Sequence, residues 1–342
     1  MSADSKKVVV AALVGNLAIA TCKFAAALLS ASTATLAEAV HSLADTGNQA
    51  LLLLGMGLSN KRDDERYPFG RAAERYFWPF IVALMLFSVG GAFAVVEGVT
   101  HLLHPEHEPV RIIAFHIGSL AVSFPSSFLN YAVLGTSFVF EAMSFRVAYR
   151  EFQKQANGKP LRRAIFEARD PTIPLVLAED TTALVGLGIA LLAVILSNLT
   201  GHRIFDPIGS VLIGILLCAV AVTLARVTHG LLIGESALPE DRARVLDIVE
   251  SVDDVVRVTQ LLTMHLGPDF VILALKVAFR PDMRVAEVES VTNVIEEKLR
   301  AELPQMQKIF IEPDSDGDGR GLDRARARAV PPKDGARREL ST

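Results

Sequence analysis

Long apolar segments occupy most of the first 232 residues and constrain the fold more than any other feature. A bilayer core about 30 Å thick takes roughly 20 helical residues to cross. Six segments qualify, some with polar interruptions: 8–29, 33–58, 77–103, 117–148, 172–199 and 205–232. Pro125 and neighbouring polar residues interrupt the fourth, which predicts a kink or a short preceding helix. We therefore predict a membrane all-α bundle of six transmembrane helices.

Composition supports this assignment and excludes several other classes of protein. Hydrophobic residues make up 51% of the 342 residues, yet charged residues still make up 21%. Mean hydropathy is +0.38. Such a chain is neither disordered nor a disulfide-stapled secreted domain, because its only two cysteines, Cys22 and Cys218, lie inside apolar runs. The net charge of −4 does not indicate a nucleic-acid partner.

Positive residues mark alternate connections between the apolar segments. Lys and Arg cluster at 6–7, 61–71 and 146–169, whereas 30–32, 104–111 and 198–203 contain few of them. Since cytoplasmic loops are enriched in Lys and Arg, both termini are expected to be cytoplasmic. The first segment has no cleavage site after a short apolar core, so we interpret it as an uncleaved membrane helix. A bacterial inner membrane or an organelle membrane would suit this multi-pass protein.

The composition changes near residue 235, where a soluble domain is predicted. Residues 239–252 and 285–303 are typical of helices, and 255–265, 270–279 and 308–311 of strands. The order α-β-β-α-β predicts a small α+β domain over 235–314, following a transmembrane domain over 1–234. A domain of this size is barely large enough for its own core, so pairing with a second copy would help. Residues 315–342 are polar and are predicted to be a disordered tail.

Ionisable residues recur inside the apolar segments, where each costs about 2.5–3.5 kcal/mol on insertion scales. Such residues usually face the interior of the bundle. His41 and Asp45 are four residues apart on one helix face, which makes a half-site for a divalent ion. Asp180 on another helix would supply a further oxygen. The full set is Lys23, Glu38, His41, Asp45, Glu97, Glu141, Glu179 and Asp180.

Four motifs resemble the cation diffusion facilitator family. Residues 38–49, EAVHSLADTGNQ, are similar to its helix-two signature, and 67–78, YPFGRAAERYFW, to the loop into helix three. Residues 206–214, DPIGSVLIG, are similar to helix six. Residues 177–186, LAEDTTALVG, resemble helix five of a divergent branch that includes the mitochondrial zinc transporter of animals. The resemblance covers about 8–314, including the metallochaperone-like soluble domain.

The resemblance implies a homodimeric exporter that moves Zn²⁺ or a similar divalent ion out of the cytoplasm in exchange for protons. Its transport site would comprise His41, Asp45 and Asp180. Val176 stands where the family has a fourth ligand, so a water molecule, Glu179 or Glu141 would complete the shell. An oxygen-rich set also suits Mn²⁺, and Co²⁺, Ni²⁺ and Fe²⁺ remain alternatives. Lys23 is the natural countercharge for the acids, such as Glu38.

A second metal site in the soluble domain would use His265, Glu312 and Asp314, for which simple solvation is the commoner interpretation. A metal-sensing membrane protein without turnover is the alternative function. The sequence contains neither an H-E-x-x-H nor a G-x-S-x-G pattern, so we expect a transporter and not an enzyme. No resident cofactor is expected, and the metal cation is the substrate.

Overall fold

A computed structural model describes residues 3–30, 33–61, 63–104, 112–117, 120–156, 158–202 and 204–314. The chain divides into two compact units, Met1–His229 and Gly230–Thr342. The first unit is mostly helical, and the second combines helices with a sheet. The predicted tail, 315–342, lies outside the described residues.

Long helices make up the first unit. They are α1 (Ala3–Ser30), α2 (Thr33–Ser59), α3 (Glu74–Met85), a π-helical segment (Leu86–Ala92), α4 (Phe93–Leu103), α5 (Ser126–Ala156), the short α6 (Leu161–Phe166), α7 (Thr172–Thr200) and α8 (Phe205–Leu232). Among the described residues, four stretches are long and apolar enough to cross a membrane: Ser5–Leu28, Glu74–Leu103, Thr172–Ser197 and Phe205–Leu232. Helices α2 and α5 have comparable length but are not among these four apolar stretches. The number of six membrane spans therefore remains a prediction.

The predicted start of the fourth apolar segment, residue 117, is wrong. A β-hairpin of β1 (Ile112–Ile117) and β2 (Leu120–Pro125) precedes α5, which begins only at Ser126. The strands pair antiparallel, with Ile112 opposite Pro125. Proline disfavours a helical conformation in the residue before it, so the helix begins after Pro125. A short apolar run does not by its periodicity distinguish a strand from a helix, which explains the error.

The helical unit has an apolar core at the end of the bundle that contains the start of α7. Ile173, Leu175 and Val176 of α7 pack there with residues of α1, α2, α3, α5 and α8, such as Val9, Leu52, Val82, Phe152 and Leu224. Val176 and Leu177 belong to this core, and Glu179 and Asp180 follow them by three residues on the same helix.

The second unit has the predicted element order. Helix α9 (Pro239–Glu250) is followed by β3 (Val255–Gly267), β4 (Phe270–Phe279), α10 (Val285–Glu302) and β5 (Met306–Asp314). Strand β4 is central, antiparallel to β3 and parallel to β5. Alternate residues of β4 are buried, and they form one core with Val245, Val249, Ile295 and Leu299 of the two helices. This alternation is what a half-covered sheet requires.

Candidate functional site

Charged side chains from four helices line one cavity of about 230 Å³ in the helical unit. They are Lys23 of α1, Asp45 of α2, Glu141 of α5, and Glu179 and Asp180 of α7. Apolar residues such as Leu134, Leu187 and Ile213 form much of the remaining wall. Four carboxyl groups and one lysine in an apolar bundle are costly to bury, which is typical of an ion pathway.

Asp180 is held by a neighbouring helix. Its side chain is 1% exposed, and its Oδ2 accepts a hydrogen bond of 2.7 Å from Ser144 Oγ of α5. Ser144 follows Glu141 by three residues, so the two lie on neighbouring positions of one helix face. The Ser144 contact fixes one oxygen of Asp180, Oδ2.

Glu179, the residue before Asp180, contacts α2 instead. Its Oε1 accepts a hydrogen bond of 3.2 Å from Asn48 Nδ2, and its Oε2 accepts one of 2.7 Å from Gln49 Nε2. Consecutive residues of a helix point about 100° apart, and therefore α7 can contact α5 through one acid and α2 through the next. The two acids thus tie α7 to two of the helices that line the cavity, α5 and α2.

The structure brings most of the predicted transport-site residues to this cavity. Asp45, Asp180, Glu141, Glu179 and Lys23 all line it. The side chains of His41 and Glu38 lie outside the described residues. Glu97 is exposed and is not among the residues that line the cavity. Among the described side chains, no three His, Cys, Asp or Glu residues are close enough together to hold one metal ion.

Val176 occupies the position where the family resemblance implies a ligand, and its side chain is fully buried in the apolar core. It is not among the residues that line the cavity. The shell around an ion near Asp45 and Asp180 would therefore need a donor from a different position.

The residues predicted for a soluble-domain site are not brought together within one chain. His265 is 4% exposed and pairs in register with Val271 near one end of the sheet, so it is not a surface histidine. Glu312 and Asp314 lie opposite Lys276 and Ala278, five and seven residues further along β4. At about 3.4 Å per residue these positions are roughly 17–24 Å from Val271. Glu312 binds Lys276 Nζ at 3.2 Å, and Asp314 accepts a hydrogen bond from Thr259 Oγ1 at 2.6 Å.

Sequence reasoning missed the side chains that hold the acids in place. Ser144, Asn48 and Gln49 were not predicted to be site residues, although the last two lie within the quoted helix-two motif. Their spacing carries a signal, because Asn48 and Gln49 follow Asp45 by three and four residues and Ser144 follows Glu141 by three. Polar side chains at these spacings share a helix face with the acids.

The apolar helices, the acidic cavity among them and the appended α/β domain together define a membrane protein that handles ions. Residues 9–233 match the family model described as the cation efflux transmembrane domain. Residues 237–316 match the one described as the cation efflux protein, cytoplasmic domain. The chain therefore belongs to the cation efflux family, and the family resemblance predicted from its motifs is confirmed.

Curated relatives differ in how much of the chain they match. Metal tolerance protein C4 of Arabidopsis thaliana is 33% identical over 249 residues, which are 72% of this chain and 51% of the relative. The human proton-coupled zinc antiporter SLC30A9, mitochondrial, is 31% identical over 247 residues, 72% of this chain and 41% of that protein. The chain thus spans about half the length, or less, of these two relatives. Manganese efflux system protein MneP of Bacillus subtilis is 22% identical over 90% of this chain and 95% of its own length.

Proposed function

We propose that this protein exports a divalent metal cation, Zn²⁺ in the first instance, from the cytoplasm in exchange for protons. The observation that carries the proposal is the cavity among the membrane helices, which Asp45, Glu141, Glu179 and Asp180 line from three different helices. Carboxylates inside a membrane-spanning bundle are disfavoured unless they bind something positively charged. A dication that passes through the bundle meets this requirement.

The proposed transport site comprises His41, Asp45 and Asp180. Metal binds the deprotonated forms of these side chains, so loading the site from the cytoplasm releases protons. Rocking of the helices then exposes the site to the opposite side, where protons return and displace the metal. Histidine ordinarily titrates near pH 6.5, which makes His41 the best-placed proton carrier of the three. Glu141, Glu179 or a water molecule completes the shell.

The choice of metal is supported by relatives and by ligand chemistry. Zinc is named for the human relative, and manganese for the relative that aligns over almost the whole chain. A site with one imidazole and several carboxylates suits Zn²⁺ but also harder ions such as Mn²⁺. Mn²⁺ is therefore the second candidate, ahead of Co²⁺, Ni²⁺ and Fe²⁺.

The proposed assembly is a homodimer in a bacterial inner membrane or an organelle membrane. Six helices cross the bilayer, and both termini are cytoplasmic. The soluble domain matches a family model described as a cytoplasmic domain, which supports this side of the membrane. It pairs with that of a second copy because it is small for an independent core.

Transport into proteoliposomes tests this function directly. The reconstituted protein is given Zn²⁺, Mn²⁺, Co²⁺, Ni²⁺ or Fe²⁺ outside, with a pH-sensitive dye and a metal indicator inside. We expect uptake of Zn²⁺ coupled to proton efflux, and the loss of both signals to background in Asp45→Ala and Asp180→Asn. Glu97→Gln is the matched control, since Glu97 is an exposed acid on a membrane helix, away from the cavity.

Each departure from this result has a definite meaning. Normal flux in Asp45→Ala refutes the site assignment, and metal uptake without a change in internal pH refutes proton coupling. Saturable metal binding without any uptake favours the alternative function, a membrane-embedded metal sensor.

A further inference from the structure

Both carboxylate oxygens of Glu179 are already bound by side chains of another helix. Asn48 and Gln49 of α2 each donate one amide N–H to it. The three side chains are 8%, 3% and 0% exposed, so this contact is shielded from water. A carboxylate that accepts two buried hydrogen bonds has little freedom to turn towards an ion.

The two amides are oriented by this carboxylate. Within the described part of the chain, neither Asn48 Oδ1 nor Gln49 Oε1 has a hydrogen-bond partner. Buried amide oxygens normally accept a hydrogen bond. Here the hydrogen bonds of the two side chains within that part of the chain are the ones that their amide N–H groups donate to Glu179. Binding Glu179 is therefore the evident role of both side chains.

The contact lies where it can set the geometry of the transport site. Gln49 follows Asp45 by one helical turn on the same face, and Glu179 directly precedes Asp180. Each residue rises 1.5 Å along a helix axis. A link between Gln49 and Glu179 therefore fixes both the offset and the rotation of α7 against α2, and with them the separation of Asp45 from Asp180.

We propose that Glu179 is a positioning residue and not a metal ligand. Together with Asn48 and Gln49 it forms a clamp, the Asn48–Gln49–Glu179 clamp, that holds Asp45 and Asp180 in register. This inference rests on the proposed function, because it assumes that Asp45 and Asp180 bind the metal. Glu141 is then the one of the two acids that can complete the metal shell.

Zn²⁺ affinity of the purified full-length protein, measured by calorimetry in detergent, tests the clamp. Residues that orient metal ligands typically contribute roughly 10- to 100-fold in affinity. We expect a loss of that size in both Gln49→Ala and Glu179→Gln, and no further loss when the two are combined. The exchange Gln49→Glu with Glu179→Gln restores a carboxylate–amide pair across the two helices and should recover most of the affinity.

A ligand role for Glu179 predicts a different pattern. Gln49→Ala would then bind Zn²⁺ like the unmodified protein, and the exchange would be as defective as Glu179→Gln alone. Either result overturns the clamp. If Gln49→Ala or the exchange does not elute as a folded protein, Asn48→Ala and Glu179→Asp replace them. Both replacements must weaken affinity, because the first removes a donor and the second shortens the reach of the carboxylate.

Two controls separate this inference from the proposed function. Gln153→Ala removes an exposed amide of α5 and should leave affinity unchanged. Asp180→Asn should abolish specific binding. Unmodified protein that does not bind Zn²⁺ overturns Zn²⁺ as the proposed substrate, and Asp180→Asn that still binds it overturns the proposed transport site. Loss of binding in Asp180→Asn with full affinity in Gln49→Ala overturns only the clamp.

Discussion

At the scale of single residues, Asp170 connects three helices at one end of the bundle. Its Oδ2 accepts a hydrogen bond from Ser5 Oγ of α1 at 2.8 Å and also binds the Arg75 guanidinium of α3. Its Oδ1 accepts one from the backbone N–H of Thr172, at the start of α7, at 3.1 Å. The Arg75 side chain is only 6% exposed. Since a buried guanidinium needs a partner, Asp170 is essential for burying Arg75.

We expect Asp170→Ala to destabilise the protein by about 3–5 kcal/mol, because it leaves the Arg75 charge buried without the carboxylate that binds it. A thermal unfolding scan in detergent measures the effect as a lower Tm. Glu167→Ala is the control, since Glu167 pairs with Lys159 and Arg163 at the surface, where such pairs contribute at most about 1 kcal/mol. Equal Tm values for the two variants would contradict the role of Asp170.

At the scale of helices, α8 packs against the π-helical segment and α4 through glycines. A Cβ added to Gly214 would lie 2.7 Å from the backbone nitrogen of Val95 and 2.8 Å from the Gly91 carbonyl oxygen. A Cβ on Gly91 would lie 2.9 Å from the backbone nitrogen of Cys218. Backbone atoms cannot move aside as the end of a flexible side chain can. These glycines therefore permit a close helix crossing, as small residues do in membrane bundles.

Gly214→Ala should destabilise the bundle by about 1–3 kcal/mol, the usual cost of overpacking, through forced separation of α8 from α4. Gly188→Ala is the matched control on α7, because a Cβ there would meet nothing within 4 Å. Its expected effect is neutral or stabilising, by up to about 1 kcal/mol, since alanine favours helix more than glycine does. Tm values in detergent compare the two variants. A lower Tm for Gly188→Ala than for Gly214→Ala would refute this packing account.

The sequence predicts elements better than it predicts contacts between them. Apolar length and strand alternation were enough for most helices and for the soluble domain, because those signals are local. The β1–β2 hairpin was missed because its strands are apolar, like the membrane segment to which they were assigned. The Asp180–Ser144 and Glu179–Gln49 hydrogen bonds join residues 36 and 130 positions apart. Their existence depends on how the helices pack, which no local pattern encodes.

At the scale of the whole molecule, the number of spans decides which loops share a side of the membrane. With six spans, the loop after α2 lies on the side of the termini, and the end of α4 lies on the opposite side. If only the four most apolar stretches span the membrane, α2 does not cross the bilayer. The loop after α2 then lies opposite the termini, and the end of α4 lies on their side. Arg66 and His104 are exposed and mark these two positions. Their locations therefore distinguish the two arrangements.

Single cysteines at Arg66 and His104, in a protein with Cys22 and Cys218 replaced by serine, locate these positions. In intact bacterial cells we expect a membrane-impermeant maleimide to label His104→Cys at once and Arg66→Cys only after permeabilisation. This result follows from six spans and from the Lys and Arg enrichment of the loop around residue 66, which favours the cytoplasmic side. The reverse labelling, in a protein whose N-terminus a reporter fusion locates in the cytoplasm, would establish the four-span arrangement. It would also place α2 and its Asp45 outside the bilayer core, which removes the physical reason for an acidic ion site there.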